Sequence, residues 1–418
     1  MQEQLTRLWA LCRKGARFLY WLLLALVLGL GVGAAGAAFH HSIEFVTHLR
    51  LTHRWLPALL PLAGVVTALL YRVCGSADDR GTSQIFACVR TGRPVPLRTA
   101  PLIFASTVLC HLTGGSAGRE GAALQLGGSL AAWFGRLVHL DERDKRTIVL
   151  CGMSAAFTAL FGTPLTAAVF ALEVISVGVM YYSAVVPCLF SALVALRVSQ
   201  WLGLPDAGWT VTDIPVLSAL SMGQALALGV ACALLSVLFC RVVHAAPQLY
   251  GRLTRSAPLK GLAGGTLLLV LTALLGTQLY NGAGTQLIEL SLAGQAAPWD
   301  FVLKLLFTAI TLGAGLRGGE IVPALSVGAA FGCTLAPVLG LSPSFGAALC
   351  MAALFCGATN CPIASLFLSL ELFGTEGLPL FALCCFASYA LSGYHGLYPE
   401  QKFVCSKSRT EWFDQNNP

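Results

Sequence analysis

Gly114-Gly-Ser-Ala-Gly-Arg-Glu-Gly-Ala-Ala-Leu-Gln-Leu-Gly127 has a counterpart about half the chain away, Gly315-Leu-Arg-Gly-Gly-Glu-Ile-Val-Pro-Ala-Leu-Ser-Val-Gly328. In each stretch an acid (Glu120, Glu320) stands among glycines and opens a run of small residues. A second matching piece follows each: Gly162-Thr-Pro-Leu-Thr-Ala-Ala-Val-Phe-Ala-Leu-Glu173 answers Asn360-Cys-Pro-Ile-Ala-Ser-Leu-Phe-Leu-Ser-Leu-Glu371. The proline-to-glutamate step is nine residues in both, and the steps from Glu120 to Pro164 and from Glu320 to Pro362 are 44 and 42. In an apolar chain this pairing predicts a duplicated transporter scaffold, with its site where the halves meet.

Hydrophobic residues make up 56% of the chain and charged residues 11%. Phe18–Ala38, Trp55–Tyr71 and Val216–Cys240 can each cross a hydrocarbon core of about 30 Å. The first of these lacks a small-residue cleavage site and is followed by more apolar segments, so it is not expected to be a removable signal peptide. Arg7, Arg13, Lys14 and Arg17 precede it, which favours a cytoplasmic N-terminus. Trp9, Trp21, Trp55, Trp133, Trp201 and Trp209 fit interfacial belts.

The net charge of +7 is spread over loops and reads as an orientation signal and contact with lipid headgroups, not as nucleic-acid binding. None of the fifteen cysteines has C-x-x-C spacing, and most lie in apolar segments, where cysteine acts as a small hydrophobe. Neither disulfides, a metal nor another cofactor is expected. The roughly 20 residues after Tyr398 are too few for an independent fold, so no regulatory module is expected there.

The organisation predicted is an amphipathic N-terminal segment (1–17), a first membrane half (18–200), a connecting loop (201–215), a second half (216–398) and a short tail (399–418). Several apolar pieces are too short for simple spans. They are Ile85–Val89, Pro101–Leu112, Ala122–Leu137, Ile148–Leu160 and Leu165–Val179, then Val302–Leu312, Ala324–Leu339, Phe345–Phe355, Ile363–Phe373 and Leu378–Leu391. Broken helices are tolerated in a bilayer only where their ends are buried in protein or line a cavity. The fold expected is therefore all-α and polytopic, with helix termini gathered near the membrane midplane.

In the first acidic stretch, the glycines and Ser116 turn the backbone into a helix beginning near Arg119 or Glu120. Free N–H groups and the helix dipole make that start an anion site. Glu120 can occupy the anion position itself and release it when protonated, which makes one group both gate and proton carrier. In the second stretch Gly318 and Gly319 open the turn, and Pro323 sits in the first helical turn, where its missing N–H costs nothing. The amides of Glu320, Ile321 and Val322 are left free to face an ion. Two helix starts aimed at one point hold an anion without a full positive charge, which keeps binding reversible.

Gly118-Arg-Glu-Gly121, Gly318-Gly-Glu-Ile-Val-Pro323 with Gly328-Ala-Ala-Phe-Gly332, the twin proline-to-glutamate helices and Tyr398 together resemble the CLC family of anion channels and proton-coupled anion antiporters, from about residue 60 to Tyr398. The resemblance implies two inverted-topology halves, a homodimer, Glu120 as the gating glutamate, Tyr398 as the tyrosine facing the anion, and Ile321 and Val322 flanking the anion-binding amides. Three departures stand out. Where chloride-type members carry Gly-Ser-Gly-Ile-Pro, this chain has Gly81-Thr-Ser-Gln-Ile85, so Thr82 or Ser83 supplies the anion-binding hydroxyl. Val174 replaces an acid that serves chloride/proton members as an inner proton station. Glu320 stands where chloride members are hydrophobic. These changes resemble the bacterial fluoride/proton antiporters.

The implied function is proton-coupled fluoride export across a bacterial inner membrane, with Glu120 as gate and proton carrier and Glu320 as an auxiliary acid. Fluoride, strongly hydrated, needs close donors such as hydroxyls and amides to replace its shell. The alternative is a chloride-selective antiporter or passive anion channel of the same family. An intramembrane enzyme is not expected, because there is no paired nucleophile and base, no H-E-x-x-H motif and no pair of aspartates at catalytic spacing. His40 and His41 read as interfacial at the end of the first span, and His111 as core or proton relay. Glu173 and Glu371 read as structural caps, and Arg119 as neutralising nearby acids.

Overall fold

The computed structural model describes residues 2–407, 409 and 411–416, without the side chains of residues 2, 3, 5–11 and 413–416. The side chains of Arg7 and Trp9 thus lie outside the described residues. Sixteen α-helices fall into two sets of eight. The first set is α1 (Gln2–Thr52), α2 (Leu60–Val73), α3 (Thr82–Thr91), α4 (Thr99–Thr113), α5 (Glu120–Leu137), α6 (Glu142–Phe161), α7 (Pro164–Glu173) and α8 (Val185–Trp201). The second is α9 (Ala219–Leu253), α10 (Ala257–Leu275), α11 (Thr285–Leu292), α12 (Asp300–Gly313), α13 (Ile321–Leu335), α14 (Pro343–Thr359), α15 (Pro362–Phe373) and α16 (Leu378–Leu391). Six helical stretches, α1 and α9 among them, are long and apolar enough to cross a membrane.

The same packing occurs in both sets. In the first, α6 packs against α5, α7, α8 and α1; in the second, α14 packs against α13, α15, α16 and α9. Every residue of α14 from Ser344 to Thr359 is buried, as expected of a helix apolar on all sides at a domain centre. Small residues allow the close approach: a Cβ on Gly127 would run into the Gly152 carbonyl, and one on Gly332 into that of Gly346.

The twin helices α7 and α15 join the halves. Glu371, in the last turn of α15, accepts from Leu165 N and Thr166 N at 2.8 Å each, at the start of α7. Reciprocally, Glu173 at the end of α7 accepts from Ile363 N (3.2 Å) and Ala364 N (2.9 Å) at the start of α15. Each carboxylate satisfies amides that its twin helix leaves free, next to the positive end of that helix dipole. The capping expected of Glu173 and Glu371 is thus present, and it explains their shared nine-residue spacing from proline. Replacing Glu371 by alanine strands both amides and is expected to cost about 2 kcal/mol, read as a lower melting temperature of the purified protein.

Two expectations are corrected. The first span does not stop at Ala38: α1 is one 51-residue helix that also takes in residues 2–17. No proline or helix-ending glycine interrupts it, and Gly29, Gly33 and Gly36 serve packing. A Cβ on Gly33 would lie 2.8 Å from Ala195 Cα, and one on Gly36 2.6 Å from Ala159 Cβ. Consequently His40 and His41 are inside the helix, and His40 is buried. Second, the stretch Leu165–Val179 is not one helix. It ends at Glu173, and Ser176–Val177 forms a strand, β1. The tail packs onto the body: β2 (Lys402–Cys405) pairs in parallel with β1 and antiparallel with β3 (Trp412–Asn416). Gln401, at its root, is buried and donates from Nε2 to Val174 O (2.9 Å) and Thr359 O (2.8 Å). Between the halves, residues 202–218 contain no regular helix or strand.

Candidate functional site

The two acidic stretches meet. Gly118 N donates to Gly319 O at 2.6 Å and Gly319 N to Gly118 O at 2.7 Å, so the loops before α5 and α13 pair as a short antiparallel bridge. Glycine is required by the approach itself: a Cβ on Gly319 would lie 2.5 Å from Gly121 N, and one on Gly118 2.9 Å from Pro323 Cδ. From this crossing α5 begins at Glu120 and α13 at Ile321, neither with a side-chain cap. Pro323 lies in the first turn of α13.

The first loop is fastened from outside the crossing. Lys304 of α12, fully buried, donates to Ser116 Oγ (2.9 Å), Gly282 O (2.8 Å) and Tyr280 O (3.1 Å), which uses all three of its donors. Asn281 Nδ2 donates to Gly114 O at 2.6 Å, and Gly282 N to Gly115 O at 3.0 Å. The helix start bearing Glu120 is therefore held rigidly by the second half.

Glu120 has no exposed surface. Its Oε2 accepts from Arg119 N at 3.1 Å, so the carboxylate folds back on its own helix start. Its Oε1 lies 3.5 Å from Arg119 Nε and has no hydrogen-bond partner among the described residues. The group faces a cavity of about 200 Å³ lined also by His40, Arg119, Val322 and Trp209. Trp209, in the connecting loop, has its ring centroid 6.5 Å from that of Phe373.

Thr82, Ser83, Glu320 and Tyr398 line a different cavity, of about 370 Å³, which shares no lining residue with the first among those described. Thr82 Oγ1 donates to Gly121 O at 3.2 Å and accepts from Gln125 Nε2 at 3.3 Å. Its hydroxyl proton is thus engaged by backbone, and Ser83 makes neither bond. Tyr398, 1% exposed, packs its ring edge-on to Phe86 at 4.8 Å. A Cβ on Gly121 would be 3.3 Å from Thr82 Oγ1 and 3.6 Å from Glu320 Oε2, so this cavity reaches the back of the Glu120 turn. Arg80, Arg317 and Glu400 also line it; Arg317 lies over the Tyr71 ring at 4.2 Å and 3.6 Å from Asp79 Oδ1. Of the remaining predicted residues, Val322 lines the cavity of Glu120, and Ile321 is buried and lines neither cavity.

Sequence reasoning missed three residues. Gln125 follows Glu120 by five positions and has Oε1 buried without a partner among the described residues; its signal is a lone amide in Ala-Leu-Gln-Leu-Gly. Lys304 is a lone lysine in an apolar helix, which alone marks a buried, bonded cation. His40 carried the right residue type and was set aside because the helix was ended too early. Among the described residues no group of three or more His, Cys, Asp or Glu side chains could hold a metal.

Two sets of eight helices, with broken helices starting at one central crossing, define a multi-pass membrane protein of the inverted-repeat kind. The sequence profile of the voltage gated chloride channel family matches residues 63–393, and the chain belongs to this family, the CLC family. It is 38% identical over 394 residues to a chloride/fluoride channel protein of Pseudomonas syringae pv. tomato, covering 93% of this chain and 87% of that one. It is 26% identical over 382 residues to the H(+)/Cl(-) exchange transporter ClcA of Vibrio cholerae, covering 84% of this chain and 81% of the relative. Among solved structures it resembles a CLC-type fluoride/proton antiporter, with a TM-score of 0.89, 33% identity, and coverage of 92% of this chain and 98% of the other.

Proposed function

We propose that this protein is a fluoride/proton antiporter that exports fluoride as protons enter, with Glu120 as both gate and proton carrier. The supporting observation is the Glu120 carboxyl. One oxygen is held by its own helix start, and the other is buried and unpartnered beside a cavity. Ionised, the carboxylate occupies the anion position at the helix start. Protonated, it loses its hold on those amides and frees them for an incoming anion, which then accepts the N–H bonds the carboxylate gave up. Each cycle moves one proton on the carboxyl and breaks no other covalent bond. The protein in this reading is a transporter and not an enzyme.

Glu320 supports fluoride over chloride. An acid on the cavity shared with Tyr398 and Ser83 can hydrogen-bond a small basic anion when protonated, whereas a hydrophobic residue cannot. Fluoride is the substrate suggested by the solved antiporter at 33% identity. Chloride remains the second reading, because Thr82 and Ser83 keep hydroxyls at the cavity and the relative at 26% identity exchanges chloride. The reading extends to a homodimer in a bacterial inner membrane with a cytoplasmic N-terminus.

Purified protein in liposomes loaded with fluoride or chloride tests the substrate. Fluoride efflux with proton uptake, at a rate far above chloride efflux, supports the proposal; equal rates place the protein with the chloride exchangers. Glu320→Gln removes one ionisable partner of the anion, and a lost charge-assisted hydrogen bond of about 1.5–3 kcal/mol corresponds to a fluoride rate lower by roughly ten- to a hundredfold. The fluoride-to-chloride rate ratio measured in the same assay should fall with it.

A further inference from the structure

His40 sits on α1, away from both acidic stretches in sequence, and yet lines the same cavity as Glu120. It is 7% exposed. Its Nε2 lies 3.5 Å from Glu44 Oε2, one turn further along the helix, and the Glu44 side chain is exposed. Its Nδ1 is buried and has no hydrogen-bond partner among the described residues. One cavity thus holds two buried, unpartnered atoms that can exchange a proton, His40 Nδ1 and Glu120 Oε1. Its volume of about 200 Å³ exceeds the ~30 Å³ that one water occupies in the liquid, and the polar groups in its lining suit bridging waters.

Charged groups from several elements surround this cavity. Arg119, at the start of α5, lines the cavity and opposes a second cation; Asp206, from the connecting loop, lines it and offsets Arg119. On its own helix His41 and Glu44 flank the ring. An adjoining cavity, also reached by His40 and Arg119, carries His48, Arg50, His111 and Glu289. His111 is tied through Nδ1 to Thr107 O at 2.9 Å and does not line the Glu120 cavity, which leaves His40 as the histidine on the direct path.

We propose that His40 is the proton station between Glu120 and the aqueous phase on this side of the membrane. The inference rests on the antiport reading and gives that reading a route. The proton on Glu120 Oε1 passes through water to His40 Nδ1. The ring then carries a proton on each nitrogen and releases the one on Nε2 to Glu44, which delivers it to solvent. Return of the neutral ring to its starting tautomer completes the step, and the reverse sequence loads Glu120.

The test compares wild type, His40→Ala and His40→Gln in fluoride-loaded liposomes. Fluoride efflux and proton uptake are recorded together across a range of pH, with and without added imidazole. The expected result is a coupled rate at least ~10-fold lower in both variants, a changed rate-versus-pH profile, and partial recovery of His40→Ala by imidazole. Glutamine preserves much of the size and polarity of the ring, so the second variant guards against loss of packing. A wild-type rate and pH profile in both variants would overturn the station, as would a slowed rate that imidazole fails to restore with an unchanged pH profile. Wild-type protein moving fluoride without protons would overturn the antiport reading and the station with it, so the two failures are distinguishable.

Discussion

Glu120→Gln protein is expected to lose proton movement coupled to fluoride by a factor of at least ~100, the scale set by removing a positioned proton-transfer group. Glutamine keeps the shape of the side chain and a carbonyl oxygen that can still accept from Arg119 N, the one hydrogen bond Glu120 makes to its helix start. The fold of the crossing should therefore survive, and only the ability to gain and lose a proton is removed. This separates gate from cap. A cap alone would be satisfied by the amide, and the variant would exchange normally. Simultaneous fluoride and pH recordings on reconstituted protein read the difference.

The second large effect is steric. Gly319→Ala would place a Cβ 2.5 Å from Gly121 N and 3.1 Å from Gly121 Cα. Neither backbone can retreat freely, because Gly118 and Gly319 exchange hydrogen bonds of 2.6 and 2.7 Å, and the Gly114–Ser116 loop is fastened by Asn281 and Lys304. Overpacking of this kind costs about 1–3 kcal/mol. The functional cost is larger, since misplacing a reacting group by ~1 Å lowers rates on the order of a hundredfold. The expected result is protein that still purifies folded but transports at roughly one hundredth of the wild-type rate. Gly223→Ala is the control: nothing lies within 4 Å of its Cβ position, so its transport should be unchanged.

The contrast between these two positions shows what a sequence can and cannot disclose here. Glycines around an acid are visible as a motif, and the twin prolines mark helix starts because proline is tolerated at the first turn. The limits of α16 and the end of α15 match the apolar runs Leu378–Leu391 and Ile363–Phe373, since glycine or proline bounds each run. The length of α1 was hidden because His40, Glu44, His48 and Arg50 look like a polar exit from the membrane. Helix propensity does not end there, and those residues line cavities instead. The tail sheet was hidden for another reason: β2 pairs with β1, more than two hundred residues earlier, and no local pattern encodes a partner that remote.

The site follows the same division. Glu120 and Glu320 can be picked out by residue type and spacing, and the family resemblance adds Thr82, Ser83 and Tyr398. Their allocation to two cavities on either side of the Gly118–Gly319 bridge cannot, because it depends on the tertiary path of both halves. The same holds for Gln125, whose contact with Thr82 joins α5 to α3. Lys304 is the extreme case. A lone lysine in Asp300-Phe-Val-Leu-Lys304 gives no hint that it braces the loop leading to Glu120, 188 residues away from Ser116.

An outward fluoride gradient at equal pH tests the central claim most directly. Liposomes containing the protein are prepared with high internal fluoride, equal pH on both sides, and the membrane potential clamped with an ionophore. If one carboxyl serves anion and proton alternately, the outward fluoride gradient must drive protons inward and acidify the lumen below the external pH, with no acidification in Glu120→Gln vesicles. Fluoride efflux that leaves luminal pH unchanged would contradict the account and identify a passive anion channel.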